Sequence, residues 1–223
     1  MIAPGPCNGL TDVAGPRVGN AQDAGVRSGV TVVLPERPVL AAVDVRGGSP
    51  FTFNAHLLDA GTIVRPLHGI VLSGGSAFGL EAAGGLAVHG LGDTIGSDNI
   101  PTVAGAIYDL ANGGDNTTIG VTATDAALDQ GQLLRLAVMA QDGYAYAIRP
   151  IHTHLDGDVV FALTTAPAPV PQTAGFLVRL GAIAADVMAR AVCRGVYLAE
   201  DLGDHRSYRS LLAAPVPATS MVG

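Results

Sequence analysis

Two short stretches carry residue types that can do chemistry. The first is GGDNTTIGVTATDA, residues 113–126, where a turn-forming run (Gly113, Gly114, Asp115, Asn116) leads into Thr117 and a β-type segment. A threonine hydroxyl is a weak nucleophile unless a base lies beside it. A chain break between Asn116 and Thr117 would create that base. The freed α-amine of Thr117 has a pKa of about 7.7–8.0, so a useful fraction is neutral near pH 7. The break is itself threonine chemistry: the Thr117 hydroxyl attacks the preceding carbonyl, and water hydrolyses the resulting ester. A strained turn over 113–116 would help by distorting the peptide. Taken alone, an Asn-Thr pair is more often the plain start of a strand.

The second stretch is PIHTHLDGDVVFALTT, residues 150–165, in which His152, His154, Asp156 and Asp158 recur at every second position. In an extended segment all four share one face. His152, His154 and Asp156 are then a ligand set suited to zinc. HTHLDG resembles the HxHxDH signature of metallo-β-lactamase-type hydrolases, but Gly157 stands where the last histidine belongs, and only His205 remains downstream. Asp156-Gly157 also reads as a turn, which would break the shared face. A third stretch, LSGGSAFGLEAAGG (72–85), has a glycine turn before a helix-like run. It lacks the GK[ST] ending of a phosphate-binding loop. It also lacks the second glycine of a nucleophile elbow, because Phe78 stands there. Close packing of helix on sheet accounts for its glycines.

Bulk composition narrows the field. The chain has 223 residues, enough for one domain with a substantial core. Only 14% are charged and 48% are hydrophobic, which excludes a disordered chain. The apolar residues are mostly Ala, Val and Leu, with no Trp, which suits close packing of small side chains on flat interfaces. A net charge of −7 argues against general nucleic-acid binding. No lysine occurs, so no mechanism can draw a catalytic lysine from this chain. Cys7 and Cys193 are far apart and form no disulfide framework, consistent with a reducing cytoplasm. MIAPGPCNGL lacks the features of a signal peptide, and no run of 18 or more apolar residues predicts a membrane span. No cofactor is implied.

The elements that must position these residues follow from periodicity. VTVVLP (30–35) and LAAVDVRG (40–47) read as two strands joined by a Pro-bounded turn, a hairpin-like pair. HGIVLSGGS (68–76) is a strand ending in a glycine turn, residues 77–91 are a small-residue helix, and 100–110 are extended. TTIGVTATDA alternates as a strand does. A helix capped by Asp125 or Asp129 then runs to about Ile148 and stops at Pro150. DVVFALTT (158–165) is a strand, a Pro-rich linker spans 167–171, and a long helix covers about 174–198. The tail from 200 onward has no strong period. Helices outside a two-layer sheet core fit this order best.

Several long motifs, in register across most of residues 8–198, resemble the P1 family peptidases. These are the DmpA-type aminopeptidases, with relatives that cleave β-peptides and nylon oligomers. The motifs are GLTDVAGPRVGNA, SGVTVVLP, AAVDVRGGSP, LLDAGTIVRPLHGIVLSGGSAFGLEAAGG, AIYDL, NTTIGVTATDAAL, LLRLAVMAQDGYAYAIRP and IHTHLDGDVVFALTT. The resemblance implies an α+β fold: a single-domain αββα four-layer sandwich of N-terminal-nucleophile type. It implies self-cleavage into chains 1–116 and 117–223 that stay together, and a homo-oligomer acting on small peptides or amides. Asn116-Thr117 matches the cleavage site, Thr117 the nucleophile and Tyr108 a nearby tyrosine. Asp156 and Asp158 match an acidic pair with supporting roles, which would hold the α-amine and favour its charged form.

The chain departs from the family between two motifs. Only Ala111 to Asp115 separate Leu110 from Asn116, where family members carry a substantial glycine-rich segment. That segment supplies core strands, an oxyanion-stabilising asparagine and, in the nylon branch, a lysine. Without it the sheets lack core strands. An inactive, oligomerising scaffold is therefore a second expectation. Zinc-dependent hydrolysis through His152, His154 and Asp156 is a third.

Overall fold

The structure, a computed structural model, describes residues 4–59, 61–63, 66–86, 102–106, 117–169 and 172–213. Their strands form two sheets. In the first, β1 (Pro16–Asp23), β2 (Ser28–Pro35), β5 (Gly69–Ser73), β6 (Thr102–Ala106) and β4 (Thr52–Phe53) lie side by side in that order. All neighbours are antiparallel except β5 and β6. The second has three strands, β3 (Leu40–Arg46), β8 (Asp158–Thr164) and β7 (Ile119–Thr124), with β8 central. β8 is antiparallel to β3 and parallel to β7.

Period-two side chains build the layers. Val159, Phe161 and Leu163 of β8 point inward with Ala41 and Val43 of β3. They meet Val33 and Ile70 of the first sheet in the inner core. Val160, Ala162 and Ala42 point outward and carry two long helices, α3 (Gln130–Ala147) and α4 (Ala174–Leu198). The outer face of the first sheet, through Val30, Val32, Leu34 and Val71, packs on Leu80, on Leu86 and on the short helix α2 (Ala82–Gly85). The layers are therefore α, β, β, α, as the α+β sandwich reading requires. A one-turn helix, α1 (Ser76–Gly79), precedes α2, and α5 (Tyr208–Ala213) follows α4. Among the described residues, no helix is long and apolar enough to cross a membrane.

Local chemistry fixes the helix ends. Asp129 caps α3 in a reciprocal box: its carboxylate accepts Gln132 N–H at 2.8 Å, and Gln132 Oε1 accepts Asp129 N–H at 3.1 Å. Thr173 caps α4 through Phe176 N–H. The long helix starts and stops within a residue of its predicted bounds.

In its described part, the helix expected over 77–91 is two short ones, α1 and α2. The expected strand pairing fails too. β2 and β3 are not a hairpin: Pro35 and Pro38 break the chain between them, and β3 crosses to the other sheet. The hairpin partner of β2 is β1, paired from Pro16↔Pro35 to Asp23↔Ser28, with β5 on its other side. Apart from Pro16, every residue of β1 is exposed, so it carries no apolar alternation to betray it.

Glycine sets the separation of the two long helices. A Cβ on Gly143 of α3 would strike the carbonyl oxygen of Ala185 and sit 2.7 Å from Met188 Cβ on α4, and one on Gly181 would strike Met139. Gly143→Val is expected to destabilise the fold by about 1–3 kcal/mol through overpacking, read by chemical denaturation. At the other end of α4, Asp201 accepts Ser207 N–H at 2.6 Å and the Ser210 hydroxyl at 2.8 Å, which ties down α5. These bonds, Ser207 N–H foremost, lower the Asp201 carboxyl from 3.8 to about 2. A depressed carboxyl stabilises above its unfolded value and ceases to do so as pH falls through the folded one. The α5 contact should accordingly be intact above pH 3.8 and be lost towards about pH 2, as followed by the Asp201 carboxyl resonance in an NMR titration.

Candidate active site

Strand register creates the site. Ile119 of β7 lies opposite Val159 of β8, so Thr118 falls beside Asp158, the first residue of β8. Val159 N–H donates to Thr118 O at 2.8 Å, and Thr118 N–H donates to Asp158 Oδ1 at 3.0 Å. Thr117, half-buried, is therefore the residue just before a backbone anchored at both its N–H and its C=O.

Asp158 is 1% exposed, and burying its charge is tolerable only because donors surround it. Oδ2 accepts His152 N–H at 3.0 Å and lies 2.7 Å from His152 Nδ1. Asp156, 5% exposed, accepts Thr153 N–H at 2.6 Å on Oδ2 and closes the loop between α3 and β8. The loop rests on the turn after β3. Gly48 N–H donates to Thr153 O at 3.1 Å, and Ser49 N–H donates to Asp156 O at 2.9 Å. Gly47 has φ +84, and a Cβ there would run into the carbonyl of Asp156; one on Gly48 would run into that of His154. Gly157 is held as tightly against Ser49 and Pro50.

Beneath β7 lies Tyr144 of α3, 1% exposed, which donates to Val159 O at 3.3 Å. Desolvation, with a further push from the negative charge of Asp158, raises its hydroxyl far above the ordinary tyrosine range. Gly120 is needed above it, since a Cβ at that position would strike the Tyr144 hydroxyl. Sequence reading missed Tyr144, whose only trace was the glycine in TTIG.

The structure thus gathers Thr117, Thr118, Asp158, His152 and, through its loop, Asp156. Tyr108 and Asn116 lie outside the described residues. The extended face required for zinc does not form. His152 takes a left-handed conformation at φ 60, His154 is an exposed turn residue, and Asp156 is buried with its carboxylate on Thr153. Among the described residues, no three His, Cys, Asp or Glu side chains group as metal ligands.

The model of peptidase family S58 matches residues 8–109 and 91–209, most of the chain. The chain belongs to peptidase family S58. This is the DmpA-type family that its motifs resemble. An uncharacterized aminopeptidase of Mycobacterium tuberculosis is 31% identical over 336 positions, covering 92% of this chain and 98% of that protein. Those 336 positions exceed the 223 residues here, so the alignment with that protein passes over positions that this chain lacks. Among solved structures, the L-aminopeptidase D-Ala-esterase/amidase of Ochrobactrum anthropi, a variant of the N-terminal-nucleophile hydrolase fold, aligns with a TM-score of 0.71 at 20% identity. It covers 92% of this chain and 90% of its own. A β-aminopeptidase of Burkholderia sp. aligns with a TM-score of 0.68 at 18% identity, covering 88% of each chain. The fold is that of N-terminal-nucleophile hydrolases, and family and relatives place the chain among aminopeptidase-type hydrolases.

The loop contacts make a direct prediction. Gly47→Ala forces both a positive φ and a backbone collision, and is expected to cost at least about 1 kcal/mol in chemical denaturation. Gly61→Ala, with nothing within 4 Å of the added Cβ, is expected to stay within about 0.5 kcal/mol of the parent.

Proposed function

We propose that this S58 protein is a self-processing amidohydrolase whose nucleophile is Thr117. The observation that carries the reading is the Thr118 N–H to Asp158 Oδ1 bond, which ties the chain just after the family's cleavage position to a buried carboxylate.

In the first reaction, Thr117 Oγ attacks the carbonyl carbon of Asn116. The Asn116–Thr117 C–N bond breaks as the Asn116 ester forms, and the hydroxyl proton passes to the released amine. Water hydrolyses the ester, leaving Asn116 with a carboxylate and Thr117 with a free hydroxyl and α-amine. In the second reaction the amine takes the hydroxyl proton while Oγ attacks a substrate amide. The proton goes to the departing amine, and water releases the acyl group. Asp158 supplies negative charge beside the new terminus, which favours the protonated amine once it forms. Asp156 supports the loop that holds Asp158, and Tyr108 stands in sequence where the family keeps a tyrosine near the nucleophile. The substrate class supported by the aminopeptidase relatives is a small peptide or amide with a free amino end. Assembly as a homo-oligomer in the cytoplasm completes the reading.

A second reading is a scaffold without activity. It is favoured by the 336-position alignment, which shows that this chain lacks a stretch present in its relatives. Loss of a single oxyanion donor typically lowers rate by about 10²–10³.

Intact mass of the purified protein discriminates. Fragments 1–116 and 117–223 are expected from the parent chain, Thr117→Ser should still cut, and Thr117→Ala should remain whole. Stoichiometric labelling of processed Thr117 by an acylating reagent is expected for an enzyme. A parent chain that stays uncut and unlabelled while assembling would establish the scaffold.

A further inference from the structure

The proposed reaction leaves His152 without a task, yet the residue is held in a conformation that L side chains rarely adopt, φ 60. Such a backbone persists only where its surroundings enforce it. Here one atom does so. Asp158 Oδ2 accepts the His152 backbone N–H at 3.0 Å and lies 2.7 Å from Nδ1 of the same residue. The two donors of His152 close a small ring on a single oxygen. The carboxylate is planar, so fixing Oδ2 from two directions also fixes where Oδ1 points. Oδ1 is the atom that holds Thr118 N–H.

Ring chemistry agrees with this arrangement. The ionised carboxylate only accepts, so Nδ1 must carry the proton in this contact. Nε2 is buried with no hydrogen-bond partner among the described residues.

We infer that His152 is a positioning residue: it orients the Asp158 carboxylate so that Oδ1 grips the Thr118 amide and presents the peptide bond before Thr117 for cleavage. The inference rests on the proposed role of Thr117. It concerns a residue four positions before the acidic pair and gives it no contact with the reacting atoms.

The test uses the full chain with His152→Leu, which removes the ring donor, and His152→Asn, whose side-chain N–H₂ can replace Nδ1–H. Two readouts are followed: the first-order rate of chain cleavage on denaturing gels, and hydrogen exchange of the Thr118 amide by NMR. His152→Leu is expected to slow cleavage by about 10–100-fold and to speed Thr118 exchange, while amides of β3 and α4 exchange as in the parent. His152→Asn is expected to restore both to within about threefold of the parent. Parent-like cleavage and Thr118 exchange in His152→Leu overturn the inference and leave the role of Thr117 standing. A loss in His152→Leu that His152→Asn does not recover overturns it as well, since the ring donor is then not what acts. A parent chain that never cuts defeats the proposed function and, with it, the cleavage role of His152. Thr118 exchange then still decides whether His152 orients Asp158.

Discussion

A buried negative charge at the first residue of β8 is the constraint around which the rest is arranged. An ionised carboxylate taken out of water costs several kcal/mol unless donors compensate it. Asp158 has three, and they come from different parts of the chain: the backbone before β7, and the backbone and ring of His152. Strand register delivers Thr118, and the loop after α3 delivers His152. The loop takes its shape from the glycines after β3, because only they allow two backbones to approach so closely. A single charge therefore couples three separate elements.

Small residues recur for the same steric reason. Gly143 and Gly181 let α3 and α4 come together, and Gly120 makes room for the Tyr144 hydroxyl under β7. In a chain without tryptophan, the core is made of flat layers of Ala, Val and Leu set close together. Tyr144 beneath β7 and Phe161 of β8 are the large side chains buried among them, and the Tyr144 hydroxyl bonds the backbone of β8.

Much of this was legible where one periodicity ran long enough. β7, β8, α3 and α4 announced themselves by alternation, by Asp129 and by Pro150, and the four layers followed from the order of elements. The site was legible in part. The motifs offered Thr117, Asp156 and Asp158 as candidates, and the fold sets Thr117 next to the Thr118 amide that bonds Asp158. Two things escaped. Pairing between sheets is a long-range choice, and the proline-bounded turn after β2 looks the same whether the chain folds back or crosses over. The histidine and aspartate positions at 152–158 alternate in sequence, yet a left-handed His152 and a turn at His154 and Leu155 bend the backbone between them. What looked like one face is a loop wrapped on its own carboxylates. Nothing periodic links His152 to an acceptor six residues on.

The crossing of β3 has a mechanical consequence. It comes from the first half of the chain, yet it lies in the sheet built by the second, zipped to β8 over seven residue pairs from Leu40↔Thr164 to Arg46↔Asp158. The inner core likewise draws on both halves. A covalent scission anywhere between β6 and β7 leaves every one of those ladder bonds in place. The two pieces are interlaced as clasped fingers are, and parting them means melting the whole body.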